Sequence, residues 1–298
     1  MQIPSLRVSV THRCNLRCTY CHGEGAREVR SDRRLSPAEI ERIVRTGTAF
    51  GVRKVKLTGG EPLLRRDVAE VVRRLAALQG IAGVTLTTNG VLLAEHAEEL
   101  SAAGLTRVNV SLDTLDERLY FRLTGGELRR VLAGVEAALE AGLRVELNTV
   151  LMRGLNEGEV WSMVEFASQH ACSLQLIELA EPAESSDFYR RHHMSLDGVE
   201  RELKRRGEVL RRRRSPHDRP VYLVQGVRVS LCTSVRSTAG CSGVRCSGLR
   251  LTADGCLRGF RYSDSERVEV PGDEEGIKRA FEAALSMLAE RGDELAGA

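Results

Sequence analysis

Short apolar runs alternate with amphipathic stretches along the first 180 residues of the chain. Between the apolar runs, hydrophobic residues recur at helical spacing, as Ile40, Ile43 and Val44 do in the first such stretch. The apolar runs predict six strands, at Leu6–Val10, Val55–Leu57, Val84–Leu86, Val108–Leu112, Val145–Leu151 and Leu174–Leu179. Because the connections are long enough for right-handed helical crossovers, the pattern predicts an α/β fold with a parallel sheet, either open and doubly wound or a partial barrel.

Helix boundaries are marked by capping residues. Ser36–Glu39 reads as a capping box with proline at the first helical position. Gly104 and Gly142 are placed to end two later helices, and Gly292 to end a final helix over Ile277–Leu288. These boundaries support the strand–helix alternation.

The periodicity weakens after about residue 180. Residues 181–186 read as a linker, Val199–Arg214 as a basic helix, and Val221–Leu231 as strands around Gly226. We therefore expect a partial barrel over 1–180 and a C-terminal region over 181–298, which contains a small cysteine-containing module and the final helix.

Composition and charge exclude several classes of protein. No apolar stretch of about 18 residues is present, so a membrane span is not expected. The first residues lack a basic segment followed by an apolar one, which argues against a secretory signal. The net charge of +3 gives no argument for a nucleic-acid partner. We expect a cytoplasmic protein; the sequence does not determine its oligomeric state.

Three cysteines, Cys14, Cys18 and Cys21, follow the first strand with the spacing C-x3-C-x2-C. Thiolates this close in sequence can converge on a soft metal ion or an iron–sulfur cluster. A closed site usually takes four protein ligands, and no fourth cysteine is near. A cubane cluster held by three cysteines would leave one iron open to a small molecule.

A second cysteine group lies between residues 232 and 256. Clustering in a chain without an export signal favours metal ligation over disulfides. The group consists of Cys232, Cys241, Cys246 and Cys256. Buried free thiols are the alternative.

Small polar residues recur where the predicted strands end. Gly59-Gly60-Glu61-Pro62 follows the second strand, Thr87–Gly90 the third and Ser111 the fourth, and Asn148 lies in the fifth. Two adjacent glycines permit close approach of a ligand or backbone. Because the carboxyl ends of parallel strands meet at one edge, we expect a ligand across that edge.

These motifs carry a resemblance to a known family. The cysteine triad with Tyr20, followed by Gly59–Pro62, resembles the radical S-adenosylmethionine (SAM) superfamily. Within it, the chain resembles the GTP 3',8-cyclase family of molybdenum-cofactor biosynthesis over segments 7–14, 57–65, 87–90, 107–113 and 249–255. Segments 21–25 and 174–179 are similar to its archaeal branch.

The resemblance implies a partial (β/α)6 TIM-type barrel and a [4Fe–4S] cluster on Cys14, Cys18 and Cys21. It implies that SAM chelates the open iron and yields a radical that abstracts a substrate hydrogen, with no catalytic side chain beyond the cluster. An external electron donor would reduce the cluster. The SAM-binding residues it implies are Tyr20, Gly59, Gly60, Glu61, Ser111 and Asn148. Lys56, Thr87 and Arg250 would bind the nucleotide substrate.

Departures from the family concern the substrate and the second cluster. The ligand positions of the family's second cluster correspond here to Gly243, Cys246 and Phe260. Cys232, Cys241 and Cys256 are off register but could bind a cluster or zinc by altered spacing. Gly248 stands where the family has a substrate-binding arginine.

Glu146 is the departure with the clearest electrostatic consequence, because it stands where the family has a phosphate-binding lysine. A carboxylate there is expected to repel a triphosphate.

Three functions follow from these observations. The first is a radical SAM enzyme of the GTP 3',8-cyclase type, and the second is a diverged paralogue that acts on another small molecule. The third is a non-catalytic iron–sulfur or zinc protein. The glycine turn and the polar strand ends argue against the third, because a carrier needs no second ligand pocket.

Overall fold

The computed structural model describes residues 3–21, 34–181, 186–212, 219–233, 249–259 and 267–296, with side chains to residue 288. Twelve strands are found in these ranges. They are β1 Ser5–Ser9, β2 Lys54–Thr58, β3 Gly83–Thr88, β4 Arg107–Ser111, β5 Arg144–Leu151, β6 Ser173–Glu178, β7 Glu208–Arg211, β8 Val221–Val224, β9 Val227–Cys232, β10 Leu249–Leu251, β11 Cys256–Arg258 and β12 Arg267–Glu269.

Nine α-helices lie between or after these strands in the same ranges, together with short 3-10 turns at Pro62–Leu64 and Glu157–Glu159. The helices are α1 Pro37–Ala49, α2 Val68–Ala76, α3 Leu93–Ala102, α4 Glu117–Thr124, α5 Leu128–Glu140, α6 Val160–Gln169, α7 Asp187–His192, α8 Asp197–Arg206 and α9 Glu274–Ala296.

All of these strands form one sheet. Its order is β12-β11-β10-β1-β2-β3-β4-β5-β6-β9-β8-β7. β1 to β6 are parallel neighbours in chain order, and β10 and β9 continue the parallel pairing beyond β1 and β6. The described part of the chain thus contains six consecutive β/α units of a partial barrel, which confirms the predicted fold class.

The strands have one apolar and one polar face because successive side chains point to opposite sides. In β5, Val145, Leu147 and Leu151 are buried in the main hydrophobic core, while Glu146 and Asn148 alternate with them. The apolar face packs against the helices, which contribute core residues such as Val131 of α5 and Val164 of α6. The other face, here called the polar face, is available for a ligand.

The helix boundaries predicted from capping residues agree only in part with those in the structure. The Ser36 hydroxyl accepts a bond from the Glu39 N–H at the start of α1, and the Glu39 carboxylate accepts one from the Ser36 N–H. The predicted end at Gly292 is wrong, since α9 runs to Ala296. One glycine inside a helix costs only about 1 kcal/mol, so the helix continues through it.

The predicted basic helix over Val199–Arg214 is also wrong in its extent. α8 ends at Arg206, and β7 begins at Glu208. The intervening Gly207 lies against β8, where a Cβ atom would sit 2.5 Å from the Leu223 carbonyl oxygen. Close packing on β8 therefore ends the helix, a contact that helical periodicity does not reveal.

The predicted division at residue 180 stays a prediction. β9 and β10, which both come from the C-terminal region, extend the sheet of the barrel at its two sides. Among the described residues, no helix is both long enough and apolar enough to cross a membrane. Cys241, Cys246, Gly243, Gly248 and Phe260 lie outside the described residues, as does most of the predicted linker.

Candidate active site

The three N-terminal cysteines lie in the loop that follows β1. Cys14 and Cys21 are exposed and Cys18 is half-buried. The loop pairs with the turn after β2, because the Gly60 N–H donates to the Thr11 carbonyl at 2.8 Å and the Glu61 N–H to the Arg13 carbonyl at 2.7 Å. Backbone hydrogen bonds thus position the start of the cysteine loop at the carboxyl end of the sheet.

The two glycines of this turn are required by the loop that lies over them. A Cβ atom at Gly59 would sit 2.3 Å from the Thr11 carbonyl oxygen, and one at Gly60 would sit 2.2 Å from that of Arg13. Neither distance allows a side chain. The sequence indicated a close approach here, and the structure identifies the cysteine loop's own backbone as one group that makes it. The binding of SAM by Gly59 and Gly60 stays a prediction.

Glu61 connects this turn to the end of β3. Its carboxylate is 1% exposed and accepts the Leu63 N–H at 3.0 Å, the Thr88 hydroxyl at 2.7 Å and the Asn89 N–H at 2.7 Å. Burial raises the pKa of Glu61 to about 7, against the opposing effect of these hydrogen bonds. The carboxylate that the sequence predicted to bind SAM therefore positions the neighbouring turn in this structure.

Asn89 reaches from β3 back to the cysteine loop. Its side-chain amide donates to the Asn15 side chain at 2.8 Å and lies 4.0 Å from the Cys14 sulfur. The Leu16 N–H lies 3.5 Å from the same sulfur. N–H groups around a ligating sulfur tune the potential of an iron–sulfur cluster. Asn89 was not predicted as a site residue; the Thr-Thr-Asn-Gly segment at the strand end was its only signal.

Asp113 fixes the other end of the cysteine loop. The Tyr20 hydroxyl donates to one oxygen of the buried Asp113 carboxylate, and the Val150 N–H donates to the other at 2.8 Å. Burial raises the pKa of Asp113 to about 6. The Ser-Leu-Asp sequence marked a polar strand end, but nothing in the sequence assigned Tyr20 as the partner of Asp113.

The three thiols are close enough to influence one another. Burial raises the pKa of Cys18 to about 12, and the charges of Asp113, Cys21 and Cys14 contribute to the rise. The Cys18 thiol is therefore protonated at neutral pH, and binding of a metal centre would release its proton.

A four-iron cluster suits this arrangement of thiols. Among the described side chains, no three His, Cys, Asp or Glu residues converge on a single ion. The thiol chemistry of the three cysteines, rather than that absence, fits a cluster that takes one cysteine per iron, and two N–H groups lie near the Cys14 sulfur. Cys14, Cys18 and Cys21 are therefore suited to hold it.

A row of polar side chains crosses the polar face next to the cysteine loop. Ser111 of β4 is aligned with Asn148 of β5, which is aligned with Gln175 of β6. The side-chain oxygen of Asn148 is buried and has no hydrogen-bond donor in the described structure. Buried polar atoms usually have a partner, so this oxygen fits a ligand that brings a donor, as the amino and hydroxyl groups of SAM would.

Four cationic side chains form a second row, here called the basic row. Arg258, Arg250, Arg7 and Lys56 are aligned across β11, β10, β1 and β2. Arg250 and Arg258 are buried, and burial followed by the charge of Arg7 lowers the pKa of Lys56 to about 8. The structure thus brings the predicted Lys56 and Arg250 together with two arginines that were not predicted.

Thr87 lies between the two rows. It is aligned with Asn109 of β4, which is aligned with Glu146 of β5. The Glu146 carboxylate accepts the Asn109 amide at 2.6 Å and pairs with Arg107 at 3.2 Å. Its charge is therefore balanced within the protein, which weakens the repulsion expected from the sequence.

The second cysteine group is described only in part. Cys232 is half-buried at the end of β9, and Cys256 is buried in β11. The Cys256 sulfur accepts a hydrogen bond from Arg267 at 3.3 Å, and Arg267 also pairs with Asp254. Because Cys241 and Cys246 lie outside the described residues, a second metal site on Cys232, Cys241, Cys246 and Cys256 stays a prediction.

Comparison with protein families and related sequences identifies the family to which this chain is similar. The profile of the Radical SAM superfamily matches residues 8–167. A "Probable GTP 3',8-cyclase" of Pyrococcus abyssi is 41% identical over 276 residues, which cover 91% of this chain and 88% of the relative. A protein of the same name from Methanothermobacter marburgensis is 39% identical over 289 residues, which cover 94% and 93%.

Solved structures show the same fold at low sequence identity. Native anSMEcpe with bound AdoMet has a TM-score of 0.68 at 17% identity, covering 98% of this chain and 82% of that one. Streptococcus suis SuiB bound to S-adenosylmethionine has a TM-score of 0.65 at 18% identity, covering 86% and 60%.

Proposed function

Because this chain belongs to the radical SAM superfamily and, within it, to the GTP 3',8-cyclase family, we propose that it cyclises GTP in molybdenum-cofactor biosynthesis. As a radical SAM enzyme it uses a [4Fe–4S] cluster and SAM. The single observation that supports GTP as the substrate is the basic row, which lies on the same face of the sheet as the predicted SAM site.

The cysteine loop binds and orients the cofactors. Cys14, Cys18 and Cys21 would hold the [4Fe–4S] cluster, which, when bound and reduced, would supply the electron for reductive cleavage of SAM and so for hydrogen abstraction from the substrate. Tyr20, fixed by Asp113, and the Gly59–Glu61 turn hold the loop on the sheet. Ser111 and Asn148 offer polar groups to SAM on the polar face.

The basic row binds the substrate. Guanidinium groups donate pairs of hydrogen bonds to phosphate oxygens, and an ammonium adds a compact charge. Lys56 and Arg250 would hold the triphosphate together with Arg7, while Thr87 faces the nucleotide from β3. Since phosphates favour the charged form of Lys56, substrate binding raises its lowered pKa.

A diverged paralogue with another small-molecule substrate is the second candidate. Glu146 favours it, because a carboxylate lies on the polar face where the family has a phosphate-binding lysine. The pairing of Glu146 with Arg107 favours the cyclase instead, since the net charge of that position is close to zero.

Anaerobic incubation of the reconstituted protein with SAM, dithionite and GTP tests the proposal. We expect 5'-deoxyadenosine together with a cyclised product of GTP, both detected by mass spectrometry. The Cys18→Ser variant should give neither, because one cluster ligand is lost.

Formation of 5'-deoxyadenosine without any GTP-derived product would contradict the cyclase and support the paralogue. Absence of SAM cleavage by a protein that holds its iron would support the non-catalytic iron–sulfur protein.

A further inference from the structure

α4 presents an exposed aromatic side chain beside the cysteine loop. Phe121 is 63% exposed, and Leu210, at 41%, is the other large apolar residue exposed among the described side chains. The opposite side of α4 is buried, with Leu119 and Leu123 packed in a cluster that includes Tyr20. A single helix therefore separates Phe121 from the loop that holds the cysteines.

Backbone hydrogen bonds join α4 to the cysteine loop directly. The Thr19 N–H donates to the Leu123 carbonyl at 2.8 Å, and the Arg17 N–H donates to the Thr124 carbonyl at 3.0 Å. Cys14 and Cys21, on either side of these two residues, are exposed. α4 and the cysteine loop thus form one continuous surface, which carries the edge of the metal centre.

The charge of this surface is mainly positive. Arg13 and Arg17 of the loop and Arg118 and Arg122 of α4 are exposed, and none of them forms an ion pair within the described structure. Two carboxylates, Asp116 and Glu117, are close in sequence. The Asp116 carboxylate caps α4 by accepting a hydrogen bond from the Leu119 N–H at 2.6 Å. Elsewhere on the surface arginines are commonly paired, as Arg129 is with Glu127 and Arg205 with Glu202.

We propose that the surface formed by Phe121, Arg118, Arg122, Arg13 and Arg17 is the docking site of a small acidic ferredoxin. The inference rests on the proposed function, because each cleavage of SAM consumes one electron. That electron leaves the reduced ferredoxin, which becomes oxidised, and enters the cluster held by Cys14, Cys18 and Cys21, which becomes reduced.

The physical properties of the surface match such a partner. Ferredoxins of low potential are strong one-electron donors, and electron transfer from them requires a short distance between the two clusters. Unpaired arginines steer an acidic partner and accelerate its encounter. An exposed aromatic residue within a charged rim is typical of the side chains that carry binding energy, and electron-transfer encounters use small interfaces.

Binding of an oxidised acidic ferredoxin to the reconstituted holoenzyme, measured by isothermal titration calorimetry at low ionic strength, tests the site. We expect Phe121→Ala and the double variant Arg118→Glu/Arg122→Glu each to raise the Kd about tenfold or more. Added salt should weaken wild-type binding and have less effect on the double variant.

Matched controls lie on β7, which is an edge strand of the sheet, and on α8. Leu210→Ala removes the other exposed apolar side chain, and Arg201→Glu reverses an exposed charge on α8; both should keep the wild-type Kd. The ratio of ferredoxin-driven to dithionite-driven 5'-deoxyadenosine formation should fall in the docking variants and stay at the wild-type value in the controls.

Wild-type affinity in the docking variants, equal losses in the controls, or no binding of ferredoxin to the wild type would each overturn the docking site. Failure of the proposed function is recognised separately, since the dithionite-reduced wild-type protein would then form no cyclised product from GTP.

Discussion

Burial of the charged Lys56 side chain lowers the stability of the folded protein at neutral pH. Burial and the neighbouring Arg7 lower its pKa from the ordinary lysine value of 10.5 to about 8, and Glu146 only partly opposes them. Below about pH 8 the ammonium is charged in both the folded and the unfolded chain, so the full cost is present. Between about pH 8 and 10.5 the unfolded chain binds more protons, and stability contributed by this group rises with pH.

Replacing Lys56 by methionine should therefore stabilise the protein at pH 7 by about 1–3 kcal/mol, measured by thermal or chemical denaturation. The gain should shrink as the pH rises from 8 toward 10.5. The same substitution should weaken GTP binding about tenfold or more, because a charge-assisted bond to phosphate is lost.

The exposed Lys54 of the same strand provides the control. Lys54→Met should change the free energy of unfolding by less than about 0.5 kcal/mol. Destabilisation of the Lys56→Met protein at pH 7 would show that the charged Lys56 does not lower the free energy of unfolding.

Site residues that lie together in a short sequence motif could be predicted from the sequence. Cys14, Cys18 and Cys21 lie within eight positions of one another, and Ser111 follows a recognisable strand. The partners that fix the site come from distant parts of the chain, as Asp113 does for Tyr20. Such pairs depend on which strands become neighbours, and no spacing along the sequence reveals them.

At the level of elements, the cysteine loop and the turn after β2 act as one unit. Their backbones are joined through Gly60 and Glu61, and the Glu61 carboxylate joins the same unit to β3. A displacement of the turn is therefore expected to displace the cysteines.

Gly60→Ala should break this unit. Its Cβ atom would lie 2.2 Å from the Arg13 carbonyl oxygen, so the loop must move away. We expect the reconstituted variant to retain less than about half of the wild-type iron and to lose SAM cleavage. Its circular dichroism spectrum should show that the fold is retained.

Gly158→Ala is the matched control, because a Cβ atom there meets nothing within 4 Å. It should keep wild-type iron content. An equally full iron content in Gly60→Ala would show that the loop does not depend on this close approach.

The six barrel strands could be predicted because each is an apolar run bounded by turn residues. β7 was missed, since Leu210 and its neighbours continue a basic stretch that has helical spacing. Its identity as a strand depends on pairing with β8, and the register shift between Val209 and Arg211 leaves no mark in the sequence.

At the scale of the whole molecule, the C-terminal region supports the barrel through α9 as well as through its strands. Phe281 of α9 is fully buried and stacks on Phe50, which follows α1, with ring centroids 5.1 Å apart. Gly47 of α1 leaves room for the same ring, as a Cβ atom there would lie 3.0 Å from Phe281. The first and last described helices thus pack against each other.

Phe281→Ala should destabilise the protein by about 3–5 kcal/mol in denaturant titrations, because the substitution removes buried apolar area and leaves a cavity. Phe121→Ala, at an exposed position, should change stability by less than about 0.5 kcal/mol. Similar effects of the two substitutions would contradict the packing of α9 on α1.

Because β1 pairs with β10, the sheet cannot be completed until β10 has been synthesised. Leu6 near the start of the chain is aligned with Leu249. During synthesis, β1 is made before β2 to β9, and one of its edges stays unpaired until β10 follows. Such non-local pairing slows folding and exposes a strand edge to other chains, so we expect the nascent protein to require chaperones.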